Sequence, residues 1–551
     1  MLLFTLFFGA LLFGAPLLAQ DACDDLSPDV ATVSTTRLEG IISDINGLLT
    51  YRDDEPALRY RPAVDADPVS VLFSSSLWIG GITPAGELAI SAGRYHTLLS
   101  LPLGTQLTTT DPACMLYDTM WVVPRTAIDA HRSELAAAGV PIVQRPALYG
   151  YPGRNNPHFA QFNPFGLPPD EDLAPFYDAN GDQVYDPDQG DYPLPADVAP
   201  EAIPTTLSWS ARATATQTHF ALPLAGTVYR TIFSYDCADT PSLTTTLFTQ
   251  QRFVYTGSTP LDSLHMGIWT DFALGCWQDD YLGTVVDLST VYSYNRSAVD
   301  DYACAERFAG TVPVAALTFL SHPLYGAVYT GNSSLGIVPA PYGEPHLPWQ
   351  YYSLLTGSWT DGSPLTYGGF GGLGDSIVQH LFTGDPNDAD QWSMRHTPLP
   401  SYYRTGVGSA YIGRLEPGES VRLDAAFSVH AGGSSHLDNV TRMFAGAAAL
   451  HDAYAAGFAG SGCSVPVAAA PSPALPELRI FPNPAAGACT LSAAAPVDEL
   501  RIYDLHGRSL VHLYPSRRTV SLPIDRLAPG IVVVRARSGA RWTAKRLIIT
   551  K

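Results

Sequence analysis

From Ser70 the chain reads SVLFSSSLWIGGITPAGELAISAGRYHTL, with apolar and polar residues changing places over short intervals. A period of two marks strands with one face buried, and Gly80-Gly81 and Pro84-Ala-Gly86 are the expected turns between them. The pattern returns in TVYRTIFSYDC from Thr227, TTLFTQQRFVYTG from Thr245 and VRLDAAFSVHAG from Val421, the last fed by the turn LEPGES. Two stretches have helical spacing instead. RTAIDAHRSELAAAGV from Arg125 predicts a helix stopped by Gly139, and residues 434–458 predict a helix that closes the body, with an aspartate near its start. No period of solenoid or propeller length is present. The expected fold class is mostly β: a large β-sandwich-like body with long loops and few helices.

The hydropathy pattern divides the chain of 551 residues further. Residues 1–20 hold no charged side chain and end on small residues, which predicts a secretory signal peptide cleaved near Ala19. Residues 21–464 form the β-rich body, as one or two subdomains. A Pro- and Ala-rich spacer follows over 465–477. Residues 478–551 then alternate again through LRIFPNP, ELRIYDLHGRSLVHLY, TVSLPIDRL, GIVVVRARSG and WTAKRLIIT, which predicts a small Ig-like β-sandwich. Charge separates this tail from the rest: it holds twelve Lys and Arg against four Asp and Glu, and both lysines of the chain. With −21 overall and +8 in the tail, the remainder carries −29. A body so acidic offers phosphates no basic face, so nucleic acid is not an expected partner.

The tail's motifs carry a resemblance. Arg479-Ile-Phe-Pro-Asn-Pro484, Arg501-Ile-Tyr-Asp-Leu-His-Gly-Arg508, Leu527-Ala-Pro-Gly-Ile531 and Lys545-Arg-Leu-Ile-Ile-Thr-Lys551 resemble, in order, the type A C-terminal sorting domain of the type IX secretion system of Bacteroidota. The resemblance implies the type IX secretion machinery as partner and transport across the outer membrane. The protein is then attached to surface lipopolysaccharide or released. Val532, where a tyrosine is common, and Cys489 depart from the pattern. In the body, Leu77-Trp-Ile-Gly-Gly81, residues 178–193, Trp269-Thr-Asp-Phe-Ala-Leu-Gly275 and Phe382-Thr-Gly-Asp-Pro386 resemble motifs of large secreted proteins of the same phylum, a likeness that brings no activity with it.

Residues 177–193, YDANGDQVYDPDQGDYP, are the densest acidic stretch. Asp178, Asn180, Asp182 and Asp186 stand at positions 1, 3, 5 and 9 of a calcium-loop spacing, with the carbonyl of Val184 at position 7. Hard oxygen donors at alternate positions suit calcium, because a loop wrapped around an ion turns every second residue inward. Gln183 replaces the glycine of position 6 and Gln189 the glutamate of position 12, so Asp188 or Asp191 has to supply the last carboxylate. The competing reading is a solvated acidic turn.

A second acidic set, Asp271, Asp279, Asp280 and Asp287, lies in WTDFALGCWQDDYLGTVVD. Two carboxylates facing one bond are what glycoside hydrolysis needs, but a cation site or turn caps use the same residues. Asp279 and Asp280, if both on a strand, point to opposite faces. Other catalytic signals are thin: GxSxG and HExxH are absent, Gly374-Asp375-Ser376 has only the letters of a GDS block, and His380, His396 and His430 read as ordinary loop or strand residues. In an exported chain, Cys276 with Cys304 and Cys114 with Cys237 are candidate disulfides, and the odd count of seven cysteines leaves at least one unpaired. The expected function is a non-catalytic, calcium-stabilised β scaffold for adhesion or envelope structure, meeting a glycan or protein ligand. The alternative is a secreted hydrolase acting on polysaccharide or protein.

Overall fold

The computed structural model describes residues 30–43, 48–49, 55–95, 97–98, 119–139, 143–214, 221–237, 240–300, 304, 306–331, 339–397, 404–460, 478–483, 485–487, 489–503, 509–538 and 541–550. The apolar start of the chain and the Pro- and Ala-rich spacer lie outside these residues. Two compact units are present, Met1–Ser464 and Val465–Lys551. Both are built from antiparallel sheets, and the protein is mostly β.

Two large sheets make the body. The first runs Val30–Ser34, Leu38–Ser43, Leu58–Tyr60, Val69–Ile82, Leu261–Phe272, Arg404–Leu415 and Gly326–Gly331, with Leu88–Ser91 paired to Val69–Ile82 and Leu222–Pro223 paired in parallel to Leu88–Ser91. The second runs Asp280–Val285, Thr290–Asn295, Val314–Phe319, Ser420–His430, Thr246–Tyr255, Gly226–Ser234, Thr206–Ala213 and Trp121–Pro124. Their facing sides share one core. Leu72 and Ile268 share one buried cluster there with Ile232, Leu247, Phe253, Val291 and Phe427.

The second sheet is covered on its other side as well. Phe233 and Phe248, next in sequence to the core residues Ile232 and Leu247, pack under the segment that holds Tyr149, Tyr185 and Tyr192. Tyr292, Tyr294, Val314 and Ala316 pack against Val440, Met443 and Ala447 of the helix His436–Ala455. Apolar residues are thus buried on both faces of these strands, beyond the single buried face that their alternation predicts. Each fully buried Phe of this kind contributes roughly 2–3 kcal/mol by leaving water.

Both sequence-predicted helices form. Arg125–Ala138 ends at Gly139, whose left-handed φ of 71° closes the helix with a bond from its amide to the Leu135 carbonyl. His436–Ala455 starts where the Ser435 hydroxyl accepts from the Asp438 amide. Gly80-Gly81, expected as a turn, instead continues the strand Val69–Ile82. A Cβ on Gly80 would lie 2.9 Å from the Tyr352 ring, so the glycines are there for close packing, and the turn comes at Gly86 with φ 81°.

In the second unit, Arg479–Phe481, Cys489–Val497 and Arg517–Leu522 form one sheet, and Ser509–Leu513, Glu499–Tyr503, Gly530–Ser538 and Arg541–Ile549 form the other. Leu491, Val520, Leu500, Ile502, Val534 and Leu547 fill the space between them. Cys489 is a buried free thiol in this core. Glu499 gathers Arg501, His512 and Arg537 at 2.7–3.1 Å.

Candidate functional site

The acidic loop lies in the layer outside the second sheet, opened by the short strand Phe176–Tyr177 and closed by Tyr192–Pro193, which pair with each other. The chain must turn back between them. Asp178 does this by accepting from the Gly181 amide at 2.7 Å and the Gln183 amide at 2.8 Å. Asp182 accepts from the Val184 amide at 2.8 Å, and Asn180 accepts from the Asp182 amide at 3.1 Å. Gln183, at the position where a calcium loop has glycine, takes a left-handed φ of 63°. Asp178, Asn180 and Asp182 therefore stay together, locked by local bonds that leave their carboxyl and amide oxygens with lone pairs to offer.

Asp186 turns elsewhere. Its carboxylate accepts from the Asp188 amide at 3.0 Å and lies 3.1 Å from His158 Nε2. Asp188, which also accepts a short bond from the Tyr149 hydroxyl, is 3.5 Å from the same imidazole, so His158, Asp186 and Asp188 form a trio of their own. Burial and the neighbouring Asp188 push the Tyr149 phenol up, which keeps it a donor. Asp191 fills the place behind the loop. It is fully buried, and it accepts from the Ala179 amide and the Asp186 amide at 2.8 Å each. Desolvation raises its pKa, the two amides oppose the rise, and Asp178 and Asp182 add to it across the loop.

The second acidic set sits where the chain leaves one sheet for the other. Asp271 lies near the end of Leu261–Phe272 in the first sheet, Asp279 ends the 3-10 turn Trp277–Asp279, and Asp280 opens Asp280–Val285 at the edge of the second sheet. Asp271 and Asp279 are 1 % exposed and Asp280 7 %. Because Asp279 belongs to the turn and not to the strand, the opposite-face rule does not separate it from Asp280. Asp287 is not brought to them: it is exposed, in the turn Val286–Leu288 beyond the far end of the strand. Asp280 accepts from the Leu274 amide at 2.8 Å, and Asp271 accepts from the Tyr95 hydroxyl at 3.1 Å. Desolvation drives the Asp280 pKa well up, and Asp279, Asp300 and Asp271 push it further.

Asp300 was not among the sequence candidates. It is 5 % exposed, accepts from the Cys276 amide at 3.2 Å and the Phe308 amide at 2.9 Å, and lies with Asp279 in one cluster. The disulfide Cys276–Cys304 ties its loop to the turn that carries Asp279. Its sulfur, which lies beside the carboxylates, is spent in the bond and offers no thiolate. The cysteine spacing was the available signal, since a bond between 276 and 304 brings 300 toward 279. Cys237 is disulfide-bonded too, and Cys114 lies outside the described residues.

The remaining candidates are spoken for by neighbouring groups. His380 Nε2 meets the Leu324 carbonyl at 3.2 Å, His396 Nδ1 the Ser393 hydroxyl at 3.0 Å and His430 Nε2 the Ser428 hydroxyl at 2.8 Å. Ser376 is exposed, and its carbonyl accepts from the Tyr367 amide.

The tail's two packed sheets, its buried Leu, Ile and Val residues and its order of motifs agree with one family model. Residues 479–550 match the secretion system C-terminal sorting domain. That match marks the chain as one sorted for export by the type IX route. No curated protein matches the chain. A solved structure of a polysaccharide lyase is similar over 65 % of this chain, at 8 % identity and a TM-score of 0.19. This chain spans 37 % of that structure's length.

Proposed function

We propose that the chain is an exported cell-surface or secreted protein of Bacteroidota type, whose body is a non-catalytic, calcium-stabilised β scaffold for adhesion or envelope structure. The sorting tail hands it to the type IX machinery after removal of the apolar leader. The surface form is attached through lipopolysaccharide, and the long loops meet a glycan or protein ligand.

The observation that carries the scaffold reading is the burial of the acidic residues. Asp271, Asp279, Asp280 and Asp191 are each at most 7 % exposed, and Asp191, Asp271 and Asp280 accept bonds from groups elsewhere in the chain. A glycosidic bond has to reach both of its carboxylates, and these are shielded from solvent. In the acidic loop, Asp178, Asn180, Asp182 and the Val184 carbonyl form the oxygen set for calcium, with Asp191 as the buried carboxylate behind them. Asp186, at position 9 of the spacing, turns its carboxylate to His158 and Asp188 and stays outside that set. Crowded carboxylates repel one another, and a divalent cation is the direct remedy.

Deleting residues 478–551 tests the export part. The truncated body is expected in the periplasm, and its appearance on the surface, read by protease accessibility of intact cells, would contradict the assignment. For the scaffold part, Asp178→Asn with Asp182→Asn is expected to reduce the melting-temperature gain that calcium gives the full chain. An unchanged gain would remove the loop from the account.

A further inference from the structure

The interior cluster holds buried oxygens that no protein donor reaches, Asn295 Oδ1 and Asp280 Oδ1. Asp280 and Asn295 are register partners across the antiparallel pair Asp280–Val285 and Thr290–Asn295, so their side chains leave the sheet on the same face. Asn295 is fully buried. Its amide nitrogen donates to the Ser297 carbonyl at 3.1 Å and the Val299 carbonyl at 2.9 Å, which fixes which end of the amide is oxygen. That oxygen, Oδ1, is buried and accepts no hydrogen bond. Asp280 Oδ1, on the residue opposite, is in the same condition, while Asp280 Oδ2 is used by the Leu274 amide.

An acceptor left without a donor inside a protein is destabilising, and more so when it is charged. Two such oxygens on facing residues, next to the carboxylates of Asp279 and Asp300, call for something that takes electron density from several oxygens at once. A proton serves one pair of oxygens. A hard divalent cation serves the whole set, and an oxygen cage built from protein groups suits calcium better than magnesium, which keeps most of its waters. The nearby guanidinium, Arg404, donates to the Asp280 backbone carbonyl at 3.4 Å.

We propose that Asp279, Asp280, Asn295 and Asp300, backed by Asp271, form an interior site that holds one calcium ion and ties the edge of the second sheet to the end of the first. The residues come from both sheets and from the crossover between them, so the ion joins parts that packing, Cys276–Cys304 and the bonds of Asp280 to Arg404 and Leu274 also hold. The site is separate from the acidic loop, and only its role as a stiffener rests on the scaffold reading.

The test uses the full chain and calcium chloride alone, with EGTA as chelator. The loop variant Asp178→Asn/Asp182→Asn removes the other candidate site. In that background the melting temperature is expected to stay lower in EGTA than in calcium by about 5 °C, with one calcium per chain in native mass spectrometry. Adding Asp280→Asn is expected to remove both the chelator response and the bound ion, and to lower the melting temperature in calcium. Without an ion, Asp280→Asn relieves like-charge repulsion and raises the melting temperature. Overturning results are a rise on Asp280→Asn, a loop variant that is indifferent to EGTA, or a loop variant that holds no calcium. If the loop substitutions leave the parent's chelator response whole, the interior site stands and the loop reading falls.

Discussion

The carboxylate of Asp191 bridges the two ends of the acidic loop: one oxygen accepts from the Ala179 amide and the other from the Asp186 amide, both at 2.8 Å. The backbone groups of the loop thus depend on a buried side chain that the calcium-loop spacing alone does not single out. Asp191→Ala leaves two amides without acceptors and is expected to destabilise the body by about 3 kcal/mol, read by urea unfolding. Asp188→Ala, on an exposed carboxylate with a replaceable partner, is expected to cost less than half as much.

Gly275 makes room for Asp300. Its φ is 66°, and a Cβ there would lie 2.3 Å from Asp300 Oδ2 and 2.9 Å from the Arg307 Cα. Gly275→Ala is expected to cost about 3 kcal/mol from backbone strain and displacement of that carboxylate. Gly310→Ala, where nothing lies within 4 Å, is the control and is expected to stay within about 0.5 kcal/mol.

The disulfide Cys276–Cys304 closes a loop with a sequence separation of 28. Chain-entropy arguments put its contribution at about 3.5 kcal/mol. Cys276→Ser/Cys304→Ser is expected to lower unfolding stability by that order and to weaken calcium binding of the loop-site double variant, because it releases Asp300 from the turn that carries Asp279. Calorimetry and calcium titration of the same sample separate the two effects.

His430 gives the body a pH dependence of known sign. It lies under the helix His436–Ala455, where a Cβ on Gly446 would fall 2.3 Å from its Cε1, and burial pushes its pKa down from 6.5 to about 4. Above pH 6.5 the imidazole is neutral both folded and unfolded, and its contribution is complete. As the pH falls from 6.5 to about 4, the unfolded chain takes up a proton that the folded chain refuses, and about 3 kcal/mol is lost. His430→Gln is expected to flatten the stability profile of the body across that range, measured by denaturant unfolding at several pH values. An equal slope in both proteins would place the loss in other groups.

Much of this was legible in the sequence, for reasons that vary by element. The helix at Arg125 was readable because its spacing is local and Gly139 supplies its stop, and the tail because its strands have one polar face. Gly80-Gly81 was misplaced, since what keeps it in a strand is the Tyr352 ring, distant in sequence. The pairing of Asp279 with Asp280 was hidden by a single 3-10 turn before the strand. Asn295 could not be found by spacing, and Asp300 only through the spacing of Cys276 and Cys304. One reaches the cluster through strand register and the other through a disulfide, and both are long-range facts.

A body built around bound cations keeps a countable number of them. Full-length chain loaded with calcium chloride, passed into metal-free buffer and measured by native mass spectrometry is expected to carry two calcium ions. One is expected to remain in Asp178→Asn/Asp182→Asn, one in Asp280→Asn and none in the combined variant. A full-length chain that retains no calcium, with a melting temperature unmoved by EGTA, would contradict the account.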